Sequence, residues 1–162
     1  MSTRGAIGIR FNNIDKVGYN HCDSYPYHGL GNSVLTFLQN YTIEQIKDIY
    51  NKIEFSDSSE DWCWDWTNKC FNLSFCDRLD FLYDSLFCEY AYIINLDSGY
   101  LEFYKGFNTN PNAEGRYAKF KSEDDSTYFG VKLMQEISLS EINDYETYED
   151  NTGTGFRKKK DN

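Results

Sequence analysis

From Arg4 to Phe11 the chain alternates at period two, with Ile7, Ile9 and Phe11 on one face and Arg4, Ala6, Gly8 and Arg10 on the other. Asn12, Asn13 and Asp15 then supply turn chemistry. Lys16 to His21 resumes an extended pattern, with Val17, Tyr19 and His21 on a common face. An opening β-hairpin is predicted. After that the period changes. Val34, Leu35, Phe37, Leu38 and Tyr41 fit a helix capped by Asn32 or Ser33. The sharpest helix signal follows, where Thr42 and Gln45 form a T-x-x-Q capping box. Behind it Ile43, Ile46, Ile49, Tyr50 and Ile53 recur at helical spacing.

From Ser56 to Asn72 neither period holds. This stretch is first acidic and then places Trp62, Trp64 and Trp66 at alternate positions, which predicts a short strand or an extended loop over the core. A tryptophan-lined groove is the sharper reading of the same pattern. Ser74 and Asp77 read as the start of a further helix running through Phe81 and Leu82. The clearest β signal is Tyr90 to Leu96 and Tyr100 to Lys105 about the turn Asp97-Ser98-Gly99. Lys119 to Val131 is expected to add one or two strands, and Leu139 and Ile142 to close the ordered pattern. The elements sum to an α+β fold: a single domain over residues 1–150, with a mainly antiparallel sheet built from hairpins and helices packed on one face. Residues 151–162, NTGTGFRKKKDN, read as a flexible basic C-terminal tail.

Composition narrows the class. The length of 162 residues fits one domain with a real core, and 14 tyrosines and 12 phenylalanines predict a core and pockets lined by rings. Five cysteines, with no CxxC pair, argue against a disulfide framework and a zinc site, so free thiols and no metal or cofactor are expected. A net charge of −10 disfavours direct nucleic-acid binding and suits docking on a basic partner. No apolar run reaches the roughly 20 residues of a membrane span, and the N-terminus lacks a signal-peptide core. A cytoplasmic chain with no membrane association is the expectation.

The candidate chemistry gathers in one run, YNHCDSYPYHGLG, from Tyr19 to Gly31. His21 is the acid–base group, since imidazole titrates near neutrality, and Asp23 lies where it could orient that ring or bind a hydroxyl or cation. Tyr25-Pro26 forces an extended approach to a turn. Gly29 and Gly31 relax the backbone before a helix start, where free N–H groups favour anions. With Arg4 on the adjacent strand, Arg4, His21, Asp23 and Tyr25 suit a small ligand bearing phosphate or carboxylate. A strand-to-helix turn with no further role explains the glycines and proline equally well. The catalytic alternative is a small amide or phosphoester hydrolase using His21 with Asp23, or with Ser2 as an N-terminal nucleophile. Cys22 points away from His21, and His28 reads as an exposed turn residue. The pairs Asp77/Asp80 and Asp124/Asp125 read as solvated.

Three segments together, TRGAIGIR, YNHCDSYPYHGLG and LFCEYAYIINLDSGYLEFYKG, resemble a group of small uncharacterised proteins of bacteriophages and prophages. Those proteins open on a Thr-Arg-(Gly/Ser) strand, end their second strand on a Tyr-x-His-x-Asp-(Ser/Gly)-Tyr-Pro run and carry a Tyr/Leu-rich hairpin later. The resemblance covers Ser2 to about Leu139. Tyr27-His28 is an insertion relative to many of the group. It points to Thr3, Arg4, His21, Asp23, Tyr25, Pro26 and Gly31. The resemblance implies a setting, an infected or lysogenic cell, and a non-enzymatic accessory protein is the first expectation there. Such a protein would act in counter-defence or host takeover by binding a nucleotide signal or a host protein. The acidic, aromatic stretch from Asp57 to Trp66 is the candidate protein-binding surface, and an acidic DNA mimic acting on a host protein is a further alternative.

Overall fold

The computed structural model describes residues 2–122 and 127–160; Asp124 and Asp125 lie outside them. The opening hairpin forms as the alternation predicts. Strands β1 (Gly5–Phe11) and β2 (Ile14–Asn20) pair antiparallel from Gly5↔Asn20 to Phe11↔Ile14. Asn12 and Asn13 turn the chain with φ of 52° and 64°. Two successive positive φ values match the right-handed twist of the flanking strands, and asparagine tolerates them better than most residues.

Two helices follow, α1 (Leu30–Asn40) and α2 (Ile43–Lys52). The capping box of α2 is complete: the Gln45 backbone N–H donates to Thr42 Oγ1, and the Thr42 N–H donates to Gln45 Oε1. Helix α1 begins earlier than Asn32 or Ser33 and is capped at Gly29 without a side-chain bond. Short strands β3 (Glu54–Phe55), β4 (Trp64–Asp65), β5 (Cys70–Phe71) and β6 (Ser74–Phe75) come next. The helix expected from Ser74 and Asp77 is a strand and then a 3-10 turn at Leu79–Tyr83. The Asp77 carboxylate accepts from the Leu79 N–H at the start of that turn, and Asp80 pairs with Arg78.

β7 (Tyr90–Asn95) and β8 (Tyr100–Lys105) form the predicted second hairpin, and β9 (Lys132–Ser138) completes a sheet of order β2-β1-β7-β8-β9. All pairings in this sheet are antiparallel except the central one, β1 with β7. The strand expected within Lys119–Val131 is displaced to β9. Residues 108–122 instead form an irregular segment, joined to 127–131 by one bridge between Lys121 and Phe129.

Pleating sorts the sheet into two buried faces. Ile7, Ile9, Tyr92, Ile94, Leu101, Phe103 and Ile137 join one cluster with Leu30, Val34, Phe37 and Leu38 of α1 and Ile46 of α2. Ala6, Val17, Ala91, Ile93 and Tyr104 meet Phe81, Leu82, Tyr117 and Val131 on the other face. Both α-helices therefore pack on one face, and the 3-10 turn with the irregular segment covers the opposite one.

The expected flexible tail is a correction. β10 (Tyr145–Asp150) and β11 (Gly153–Lys158) form a hairpin, and Phe156 is 1% exposed in the helix-side core between Tyr92 and Phe103. A ring that buries this fully anchors its strand, whatever the charge of the residues after it. Leu139 and Ile142 likewise lead into a 3-10 turn at Leu139–Asp144 and do not end the fold.

Candidate functional site

The strand register brings distant parts of the chain to one end of the sheet. Gly5 pairs with both Asn20 and Tyr90, and Tyr90 pairs with Lys105. Thr3, the run after Asn20, Glu89 and the end of β8 thus emerge side by side. The tip of the β10–β11 hairpin lies opposite them. Between these parts is a cleft of about 890 Å³ lined by Thr3, Tyr25, Tyr27, His28, Glu89, Tyr90, Lys105, Glu149, Asp150, Gly153 and Thr154.

Hydrogen bonds fix the wall made by Tyr25 to His28. Ser24 N–H donates to the Thr3 carbonyl, and the Tyr92 hydroxyl donates to the Ser24 carbonyl at 2.7 Å. Asp23 and His28 sit at φ of 55° and 57°, so the backbone enters the left-handed region twice within six residues. The glycines are required by close approach: a Cβ on Gly29 would lie 2.2 Å from the Tyr25 carbonyl, and one on Gly31 2.6 Å from Pro26 Cα. The first four amides of α1 are all spent locally. Leu30, Gly31, Asn32 and Ser33 donate to the carbonyls of Asp23, Tyr25, Pro26 and Gly29. No free amide is left at this terminus for an anion, which corrects that part of the sequence reading.

The cleft is electronegative. Glu89, Glu149 and Asp150 line it against one cation, Lys105. Among the described residues Glu89, Glu149 and Lys105 form no ion pair or side-chain hydrogen bond. Asp150 is held by Thr152 and, at 3.5 Å, by Arg157. The phenols register the field. Tyr25 is raised above its usual value by its hydrogen bond to Asp23 and by the Asp23 and Glu149 charges. Tyr90 is raised by burial and then by Glu89 and Glu149. Carboxylates disfavour a phenolate beside them.

The predicted site residues divide between places. Thr3 and Tyr25 line the cleft, and Asp23 accepts from the Tyr25 hydroxyl at 3.0 Å. Arg4 instead lies over the Phe87 ring and lines a smaller recess of about 240 Å³ with Ser2, Leu86, Phe87 and Glu89. His21 Nδ1 bonds the Tyr19 hydroxyl at 2.8 Å and its ring faces Trp62. The partner of His21 is therefore Tyr19 and that of Asp23 is Tyr25. Arg4 and His21 directly flank the Gly5↔Asn20 pair, and burial raises the Tyr19 phenol that bonds His21 while the Arg4 charge lowers it, so these two share a neighbourhood that Asp23 leaves. The tryptophans divide too: Trp64 is buried with Nε1 donating to Ser33 Oγ, while Trp62 and Trp66 are exposed, so the three do not form one groove.

Two thiols are closed to chemistry. Burial pushes Cys63 up to about 12 and Cys88 higher still, so both remain protonated. Among the described residues there is no group of three His, Cys, Asp or Glu side chains that could hold a metal, and no helix is long and apolar enough to cross a membrane.

Sequence reasoning missed Tyr27, His28, Glu89, Tyr90, Lys105 and the whole hairpin wall. A signal for the hairpin existed: Asp150-Asn151-Thr152-Gly153 is turn chemistry between YETYE and GTGF, in which Tyr145, Thr147 and Phe156 are placed to face the core. No family model, curated protein or solved structure matches this chain.

Proposed function

We propose that this chain is a non-enzymatic binding protein whose ligand occupies the cleft between the Tyr25–His28 turn and the β10–β11 hairpin tip. One observation carries the reading: the rings of Tyr25, Tyr27 and Tyr90 and the carboxylates of Glu89 and Glu149, unpaired among the described residues, share a cleft of about 890 Å³, within the usual size for ligand sites. The cleft's only imidazole, His28, packs on Tyr27 with ring centroids 3.9 Å apart. A rigid turn and a hairpin anchored by Phe156 hold its walls, so a ligand meets a largely formed site. The setting proposed with it, a phage or prophage accessory protein in a host cell, rests on the sequence resemblance alone.

The test is thermal unfolding against charged small molecules of both signs, including spermidine, arginine, AMP and citrate. Saturating ligand raises the melting temperature of a protein it binds. At least one compound should stabilise the native chain and lose that effect in a Tyr25→Ala/Tyr27→Ala variant that still unfolds cooperatively. No stabilisation by any compound, or stabilisation untouched by the variant, would reject the cleft.

A further inference from the structure

We infer that the cleft takes an organic cation, an ammonium or guanidinium group carried on an apolar stem. The inference rests on the cleft being the binding site and adds the class of its ligand. Glu89 and Glu149 reach it from opposite walls, and among the described residues neither is neutralised by the chain. Glu89 is half-buried, so its charge acts through less solvent than that of a fully exposed carboxylate.

The rings supply the second half. Tyr25, Tyr90 and Glu149 line the same cleft, so that carboxylate shares its walls with two aromatic rings. A cation seated there gains the attraction of ring faces as well as the ion pair, and its methylene stem covers apolar ring surface. An anion would meet the opposite conditions: three carboxylates, one lysine, and helix amides already bonded to the Asp23, Tyr25, Pro26 and Gly29 carbonyls.

Two sources offer this chemistry: a free polyamine, or a lysine or arginine side chain on a protein segment. Calorimetric titration at 150 mM salt with spermidine, with the peptide acetyl-Gly-Lys-Lys-Gly-amide and with AMP separates them. One cationic probe should bind the native chain, and a Glu89→Gln/Glu149→Gln variant should weaken it by about tenfold. A Glu54→Gln/Glu114→Gln variant, which removes the same charge from exposed positions elsewhere, should leave binding unchanged. Tighter binding of spermidine assigns the free amine, and tighter binding of the peptide assigns the protein segment. Equal weakening by both double variants would reduce the effect to bulk charge and overturn the inference. Binding of AMP, lost in Tyr25→Ala, with no binding of either cation, would overturn the cation and keep the cleft. Failure of all three probes would overturn both.

Discussion

Gln135 pairs with the backbone of Phe156 as a strand would. Its Nε2 donates to the Phe156 carbonyl at 2.7 Å, and its Oε1 accepts from the Phe156 N–H at 2.9 Å. The β10–β11 hairpin is a separate two-stranded sheet, so this side chain does the work of a backbone ladder in joining it to β9. Gln135→Leu leaves both Phe156 backbone groups without partners and should cost about 2 kcal/mol by chemical denaturation, since unmet buried polar groups cost about 1–3 kcal/mol. A change within error would show that the hairpin is held by packing alone.

The hairpin is also where a tail was expected. Deleting residues 151–162 removes β11 and the Phe156 ring. If these residues were a loose tail, the melting temperature would not move. The buried ring predicts a loss of about 3–5 kcal/mol, the range for emptying a phenylalanine site. Phe156→Ala alone should account for much of it.

On the opposite face, Arg116 makes a two-pronged contact with Glu102, both bonds 2.7 Å, and Glu102 also accepts from Asn95 and Tyr104. Arg116 further approaches Asp15, itself bonded to Arg10 at 2.9 Å. The set balances two cations with two carboxylates and fastens the irregular segment to the sheet. Arg116→Met strands a buried carboxylate and should cost about 3 kcal/mol, as broken buried pairs do. Adding Glu102→Gln should recover part of that loss. A double variant as unstable as the sum of the single ones would contradict the coupling.

Asp97 ties the two hairpin turns together by accepting from the Asn12 and Asn13 N–H groups, each at 2.8 Å. These bonds, that of Asn13 foremost, hold its carboxyl below the usual 3.8. A depressed native value means the contribution is complete above the unfolded value, about pH 4, and is lost as pH falls through the native one. Asp97→Asn should lower stability at neutral pH and flatten its decline below about pH 4. Parallel acid-denaturation curves for variant and native chain would rule this out.

The parts of the fold legible in the sequence were those set by local rules. Alternation in Ile7, Ile9 and Phe11, the Thr42/Gln45 box and the Asp97-Ser98-Gly99 turn each fix an element from its own residues. The site was not legible in this way. Thr3 and Tyr25 were reached, but Glu89, Lys105 and Glu149 join them only through the parallel β1–β7 pairing and the packing of Phe156. Neither contact leaves a local pattern. The expected grouping of Arg4, His21 and Asp23 parts at Asp23. Arg4 and His21 directly flank the Gly5↔Asn20 pair, as the hairpin pattern implies, whereas Asp23, at φ 55°, turns to the Tyr25 hydroxyl.

The most direct measurement is an amide NMR titration of the native chain with spermidine. Shift changes should concentrate at Thr3, Tyr25 to His28, Glu89, Tyr90, Lys105 and Glu149 to Thr154. Changes centred on Arg4, His21 and Trp62, or spread evenly over the acidic surface, would contradict a ligand seated in the cleft.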